Sequence, residues 1–190
     1  MYRQSELQFR AALPRPRGGL RTAFTFTEVL VVVIILGIAS AIVLPQVTSN
    51  DDLNAAAAAR TVMADLLYAQ NRAIAMQTMH YVTFDTVNQR YTLYSGSISP
   101  ATILTHPINL DPYVMTFGQS GPNNVSQSVS LTSASFNGVT TIAFDEMGVP
   151  YSYSSGAATA LSETGAVELT CGSYTVTISV AQDTGEITVN

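Results

Sequence analysis

"AFTFTEVLVVVIILGIASAIVLP", residues 23–45, places one carboxylate, Glu28, near the start of an otherwise uncharged apolar run. From Phe24 to Leu44 the run is 21 residues long. At about 1.5 Å of rise per residue a helix of that length covers roughly 30 Å, the thickness of a bilayer's hydrocarbon core. The stretch therefore reads as a helix able to span a membrane. A carboxylate within lipid costs about 2.5 to 3.5 kcal/mol near the centre of a span, so Glu28 marks a functional position that calls for a partner.

Working outward, charge is divided unevenly about this segment. All eight basic residues are Arg, and Arg3, Arg10, Arg15, Arg17 and Arg21 precede Phe24 against the single acid Glu6. From Phe24 onward Arg60, Arg72 and Arg90 face twelve acids, which takes the net charge from +4 to -9. Basic residues at the N-terminal end of a span hold that end in the cytoplasm, so the chain after Leu44 is expected outside it. A composition of 47% apolar and 11% charged residues argues for one globular core beside the apolar segment. The lone Cys171 forms no disulfide within the chain and reads as a buried strand residue.

Residues 1–23, with their Arg, Pro and Gly, have the character of a leader that is removed. Pro45 is expected to kink a helix running through it. "LNAAAAARTVMADLLYAQNRAIAMQTM", residues 53–79, contains neither Gly nor Pro and reads as a long amphipathic helix. Val62, Leu66, Ala69 and Ala73 fall on one stripe of it, with Met63, Leu67 and Ile74 alongside, and the Met residues are assigned to packing.

Beyond His80 the period changes to two. "YVTFDT" and "RYTLY" flank a turn at residues 87–89 and predict a hairpin. Residues 95–124 carry four prolines and read as irregular apart from a strand at "YVMTF", 113–117. Further strands are expected at 128–132, 139–144, 166–170, 174–180 and 186–189, with a Gly185 turn joining the last two. Residues 152–165 read as a loop. The fold class is α+β: a long N-terminal hydrophobic helix packed on a mostly antiparallel β-sheet domain. Its divisions are 1–23, 24–44 as the transmembrane or filament-core helix, 45–80 as an amphipathic continuation, and 81–190 as a β-rich domain.

The opening stretch resembles the class III signal of type IV pilins and type II secretion pseudopilins. In that family a basic leader is cut before a Phe, Glu is the fifth mature residue and Pro commonly the twenty-second. With Phe24 as first, Glu28 is fifth and Pro45 twenty-second. The resemblance implies cleavage between Ala23 and Phe24 by a prepilin peptidase, followed by N-methylation of Phe24. Ala23 stands where the family usually has Gly. It also implies that Glu28 meets the N-terminal amine of a neighbouring subunit during filament assembly. Such a match offsets the desolvation of two charges and rewards one axial register. The helix, the "YVTFD…RYTLY" hairpin, "FDEMGVP" and the terminal "VTISVAQDTGEITV" hairpin together resemble GspH/FimT-type minor pseudopilins and minor pilins.

The resemblance implies a structural minor pseudopilin of a type II secretion system. It would be single-pass in the inner membrane, with its C-terminal domain in the periplasm. Its partners would be the prepilin peptidase, other pseudopilins or pilins in a hetero-oligomeric filament, and secreted cargo. No cofactor and no enzymatic activity are implied. A minor pilin of a type IV pilus keeps the fold and changes the machine. A third reading takes Ala39-Ser40-Ala41 as a signal-peptidase site releasing a soluble periplasmic binding domain.

His80 and His106 lack ligand spacing to a further His and are assigned solvated or capping roles. Asp51, Asp52, Asp145, Glu146, Asp183 and Glu186 are assigned to turns and caps, with calcium the minor alternative. No Arg or Lys follows Arg90, so the acidic mature chain lacks the basic stripe that DNA binding draws on.

Overall fold

The computed structural model describes residues 23–47, 50–98 and 101–190; of these, 41–47, 97, 98 and 101 are described by backbone alone. The leader thus lies outside the described residues, apart from Ala23. The chain divides into two compact units, residues 1–47 and residues 48–190.

The first unit contains α1 (Phe26–Val47). Among the described residues no helix is long and apolar enough to cross a membrane. The part of α1 with described side chains, residues 26–40, reaches only about 22 Å at the helical rise. Pro45 falls inside the range of α1, and its side chain lies outside the described ones.

The second unit opens with α2 (Asp51–Met76), whose first turn carries Asp51 and Asp52 where the helix dipole favours acids. Its buried face is Ala55, Ala58, Ala59, Val62, Asp65, Leu66, Ala69 and Ala73. Mostly small side chains at three- and four-residue intervals let the helix axis approach the sheets closely. The helix stops at Met76, short of the expected Met79, because Gln77 adopts a left-handed conformation with φ 50°. The Gln77 side-chain amide then donates to the Ile74 carbonyl at 2.8 Å, capping the end.

Among the described residues, twelve strands follow. They are β1 (His80–Asp85), β2 (Arg90–Ile98), β3 (Ala101–Ile103), β4 (Val114–Phe117), β5 (Asn124–Ser126) and β6 (Ser130–Ser135). The rest are β7 (Thr141–Phe144), β8 (Pro150–Ser154), β9 (Ala157–Ala160), β10 (Gly165–Cys171), β11 (Tyr174–Val180) and β12 (Ile187–Val189). The larger sheet runs β5-β4-β2-β1-β7-β8-β9 with β3 added to β2, and the smaller runs β12-β11-β10-β6. Among the described residues every strand pairing is antiparallel except β4 with β5.

Helix α2 packs on both sheets, against β1, β5 and β7 of the larger and β10, β11 and β12 of the smaller. Val62 and Leu66 belong to one buried core with Val82, Phe84, Tyr91 and Leu93 of the larger sheet and Val167, Leu169, Ile178 and Val180 of the smaller. The α+β class is therefore observed in the second unit, with α2 supplying the helix that packs on the sheets.

Several expectations need correction. Residues 152–165, expected as a loop, contain the end of β8 and all of β9. Ser155 at φ 51° and Gly156 at φ 86° form a two-residue turn with both central residues left-handed, the geometry that matches strand twist. The irregular stretch after Ser95 holds β3 and β5 and an antiparallel bridge between Thr105 and Pro112. β6 begins at Ser130, later than expected. Of the helix methionines assigned to packing, Met63 does pack against the core, whereas Met76 in the last turn is 56% exposed. Ile74 is also largely exposed, resting its tip beside Gly148. Cys171 is buried in β10 as expected.

Candidate assembly site

The N-terminal motif is built from a short non-helical entry, residues 23–25, and the first turn of α1. Ala23 and Phe24 precede the helix, and Phe24 is 80% exposed. The Glu28 amide donates to Thr25, to its carbonyl at 3.1 Å and its Oγ1 at 3.3 Å. Thr25 is thus the N-cap and Glu28 the third helical residue, the T-x-x-E spacing of a capping box. The sequence reading missed Thr25 as the cap, although the T-x-x-E spacing announces it.

Past Glu28 the helix offers nothing polar along one whole stretch. Val29 to Leu36, and Ile38, are each between 45% and 62% exposed. The apolar surface runs all the way round, with no polar face. Ser40 donates its hydroxyl to the Leu36 carbonyl at 2.7 Å and so makes no demand on surrounding solvent.

In the second unit, the histidines and acids fall into separate places. His80, expected to be solvated or capping, is 2% exposed and donates Nδ1–H to the Thr78 carbonyl at 2.8 Å. Burial pushes its pKa down, the Thr78 hydrogen bond opposes this, and Arg72 adds to the lowering. His106 accepts the Ile108 amide at 3.3 Å and lies edge-on to Tyr113, a loop role as expected. Asp145 accepts the amides of Met147 and Val149 at 2.9 and 2.8 Å, closing the "FDEMGVP" turn.

One charged group was not anticipated at all. Asp65, on the buried stripe of α2, accepts the hydroxyls of Tyr91 at 2.5 Å and Tyr113 at 2.9 Å. Burial raises its pKa, and the two tyrosine hydrogen bonds and the nearby His106 oppose the rise only in part. Both tyrosines are in turn pushed well above the ordinary phenol range, first by burial and then by the carboxylate they face. Two hydrogen bonds to one buried carboxyl make a structural clasp between helix and sheet. Among the described residues, no three His, Cys, Asp or Glu side chains converge on a point that would hold a metal.

No protein-family model matches the sequence, and no curated protein matches it. Solved structures do. The minor pseudopilin EpsH from the type 2 secretion system of Vibrio cholerae superposes with a TM-score of 0.50 at 10% identity, over 72% of this chain and 96% of that one. The type IV minor pilin FimU of Pseudomonas aeruginosa gives a TM-score of 0.45 at 12% identity, over 72% of this chain and 87% of that one. At such identities the first likeness is one of fold: a long helix seated on an antiparallel-rich sheet, as in a minor pseudopilin.

Proposed function

We propose that the chain is a non-enzymatic structural subunit, a minor pseudopilin of a type II secretion system that assembles into the periplasmic pseudopilus. The observation that carries this reading is α1, apolar on every side and exposed along its described length after Glu28. Such a helix is stable only when covered all round, by lipid before assembly and by other helices after it. Residues 1–23 are the discarded leader, 24–44 the span and filament core, 45–80 its amphipathic continuation, and 81–190 the periplasmic domain. The prepilin peptidase cuts between Ala23 and Phe24 and methylates the new amine of Phe24. That amine, on a neighbouring subunit, is the partner of Glu28. Pro45 adapts the helix for packing, and the β domain faces other pseudopilins and secreted cargo.

Intact mass and N-terminal sequencing of protein extracted from the membrane test the processing step. A chain beginning at N-methylated Phe24 is expected; one that retains Met1, or begins at Ile42, refutes it. Glu28→Gln tests the ion pair, because it removes the charge while keeping the side chain's shape and the backbone amide that donates to Thr25. The variant should insert normally but crosslink to its neighbours on the order of tenfold less. Normal crosslinking would refute the ion pair. Loss of extracellular enzyme secretion in a deletion strain, with surface motility intact, assigns the machine.

A further inference from the structure

Strand alternation sends Val82 and Phe84 of β1, Leu93 of β2 and Ile142 of β7 into the core. Thr83, Tyr94 and Thr141 therefore project from the other face of the larger sheet, away from α2. There, with Tyr153, Ser154 and Ser155, they line a cavity of about 770 Å³. Its floor is polar, since the Thr83 and Thr141 hydroxyls bond each other at 3.1 Å. One wall is the tip of the β8–β9 hairpin, fixed by its two left-handed residues. The Tyr153 ring is braced edge-on against Tyr81, with centroids 4.6 Å apart. A second cavity of about 480 Å³ shares Tyr153 and Gly156 and carries the groove on toward Gln77, Thr78 and Glu146, whose carboxylate can accept sugar hydroxyls.

The chemistry of the lining narrows what fits. Among the described residues no charged side chain lines the larger cavity, so it offers no ion pair to a phosphate, sulfate or carboxylate. The paired hydroxyls of the floor disfavour a wholly aliphatic plug, while Val139 and the tyrosine rings give the cavity an apolar side as well. Aromatic rings interleaved with hydroxyls match a pyranose, whose C–H face lies on a ring while its hydroxyls exchange hydrogen bonds. β2 and β8 have β1 and β7 between them. The Tyr153 ring leans across to Tyr81, the cross-strand partner of Tyr94, so the rings lie closer than their strands, and it is the continuation past Gly156 into the second cavity that gives the groove the length of an oligomer.

We propose that this groove on the outer face of the larger sheet binds a short, neutral, linear oligosaccharide, with Tyr94 and Tyr153 as stacking platforms over the Thr83–Thr141 floor. The site is independent of the filament reading, since it uses no residue of the N-terminal motif.

The test is an amide chemical-shift titration of the full chain in a zwitterionic detergent free of sugar. The probes are the β-1,4-linked glucose hexamer and the β-1,4-linked N-acetylglucosamine hexamer. A heparin-type sulfated hexasaccharide and a Ser/Thr-rich peptide serve as challengers. One neutral hexamer should shift Thr83, Thr141 and Ser154 to Gly156 saturably, with a dissociation constant of roughly millimolar or below. Tyr94→Ala and Tyr153→Ala should each weaken binding on the order of tenfold, and Tyr153→Phe less, because stacking survives. Ser155→Asp, on the exposed turn, should weaken it without touching the Tyr81 contact. The proposal is overturned if neither neutral hexamer gives a saturable shift, if Ser155→Asp and the Ala variants bind like the parent, or if a challenger binds more tightly.

Discussion

Asp65 shows at the level of one residue how a buried charge is tolerated when its partners arrive from elsewhere in the chain. Its two hydroxyl donors come from β2 and from the approach to β4, 26 and 48 residues away. No local pattern connects the three, which is why the helix stripe was legible in the sequence and its acid was not. The pH dependence follows from the direction of the shift. Burial raises the folded-state pKa above the ordinary 3.8, against the two tyrosine hydrogen bonds and His106. The folded state therefore holds the proton more tightly than the unfolded one, and this contribution to stability is complete below the unfolded pKa. It is lost as pH rises through the folded pKa. Chemical denaturation between about pH 4 and 7 should show the parent losing stability relative to Asp65→Asn, whose side chain does not titrate. A parent and variant that track each other in parallel across that range would contradict the assignment.

Among the elements, the turns are where packing decides what a glycine is worth. Gln70 of α2 donates to the carbonyls of Gly148 at 2.9 Å and Gly185 at 3.2 Å, tying two separate turns to the helix. Gly185 has φ 66°, and a Cβ there would stand 2.6 Å from the Gln70 amide nitrogen and 2.8 Å from the Gly148 oxygen. Gly156 has φ 86° but meets nothing within 4 Å. Gly156→Ala should thus cost about 1 kcal/mol from backbone strain alone, and Gly185→Ala clearly more, about 2 to 4 kcal/mol. Urea unfolding of the two variants measures the difference. The Gly185 turn was legible because "AQDTG" joins two runs of period two. The β8–β9 hairpin was not, since its second strand, "AATA", has weak strand propensity and lies fully exposed at the sheet edge. The link between sheets was equally hidden. The Gln89 side chain donates to the Leu131 carbonyl at 2.9 Å and accepts its amide at 2.8 Å, imitating a strand partner.

For the whole molecule, the compact unit at residues 48–190 carries its own core, faced by α2 and both sheets. A fragment comprising 48–190 should stay in solution without detergent and unfold in a single transition, followed by circular dichroism. Aggregation, or two separate transitions, would contradict an independent core. The fold class was visible in the sequence because the hydrophobic period changes from helical to alternating at His80. The number of sheets was not, because which strand pairs with which depends on contacts between distant segments. Since both sheets lean on α2, a force that pulls on either one drains into the same rod from two flanks. Extracting that rod lengthwise must shear its row of alanine contacts together instead of peeling them one by one. A domain clamped in this way resists traction until it yields all at once.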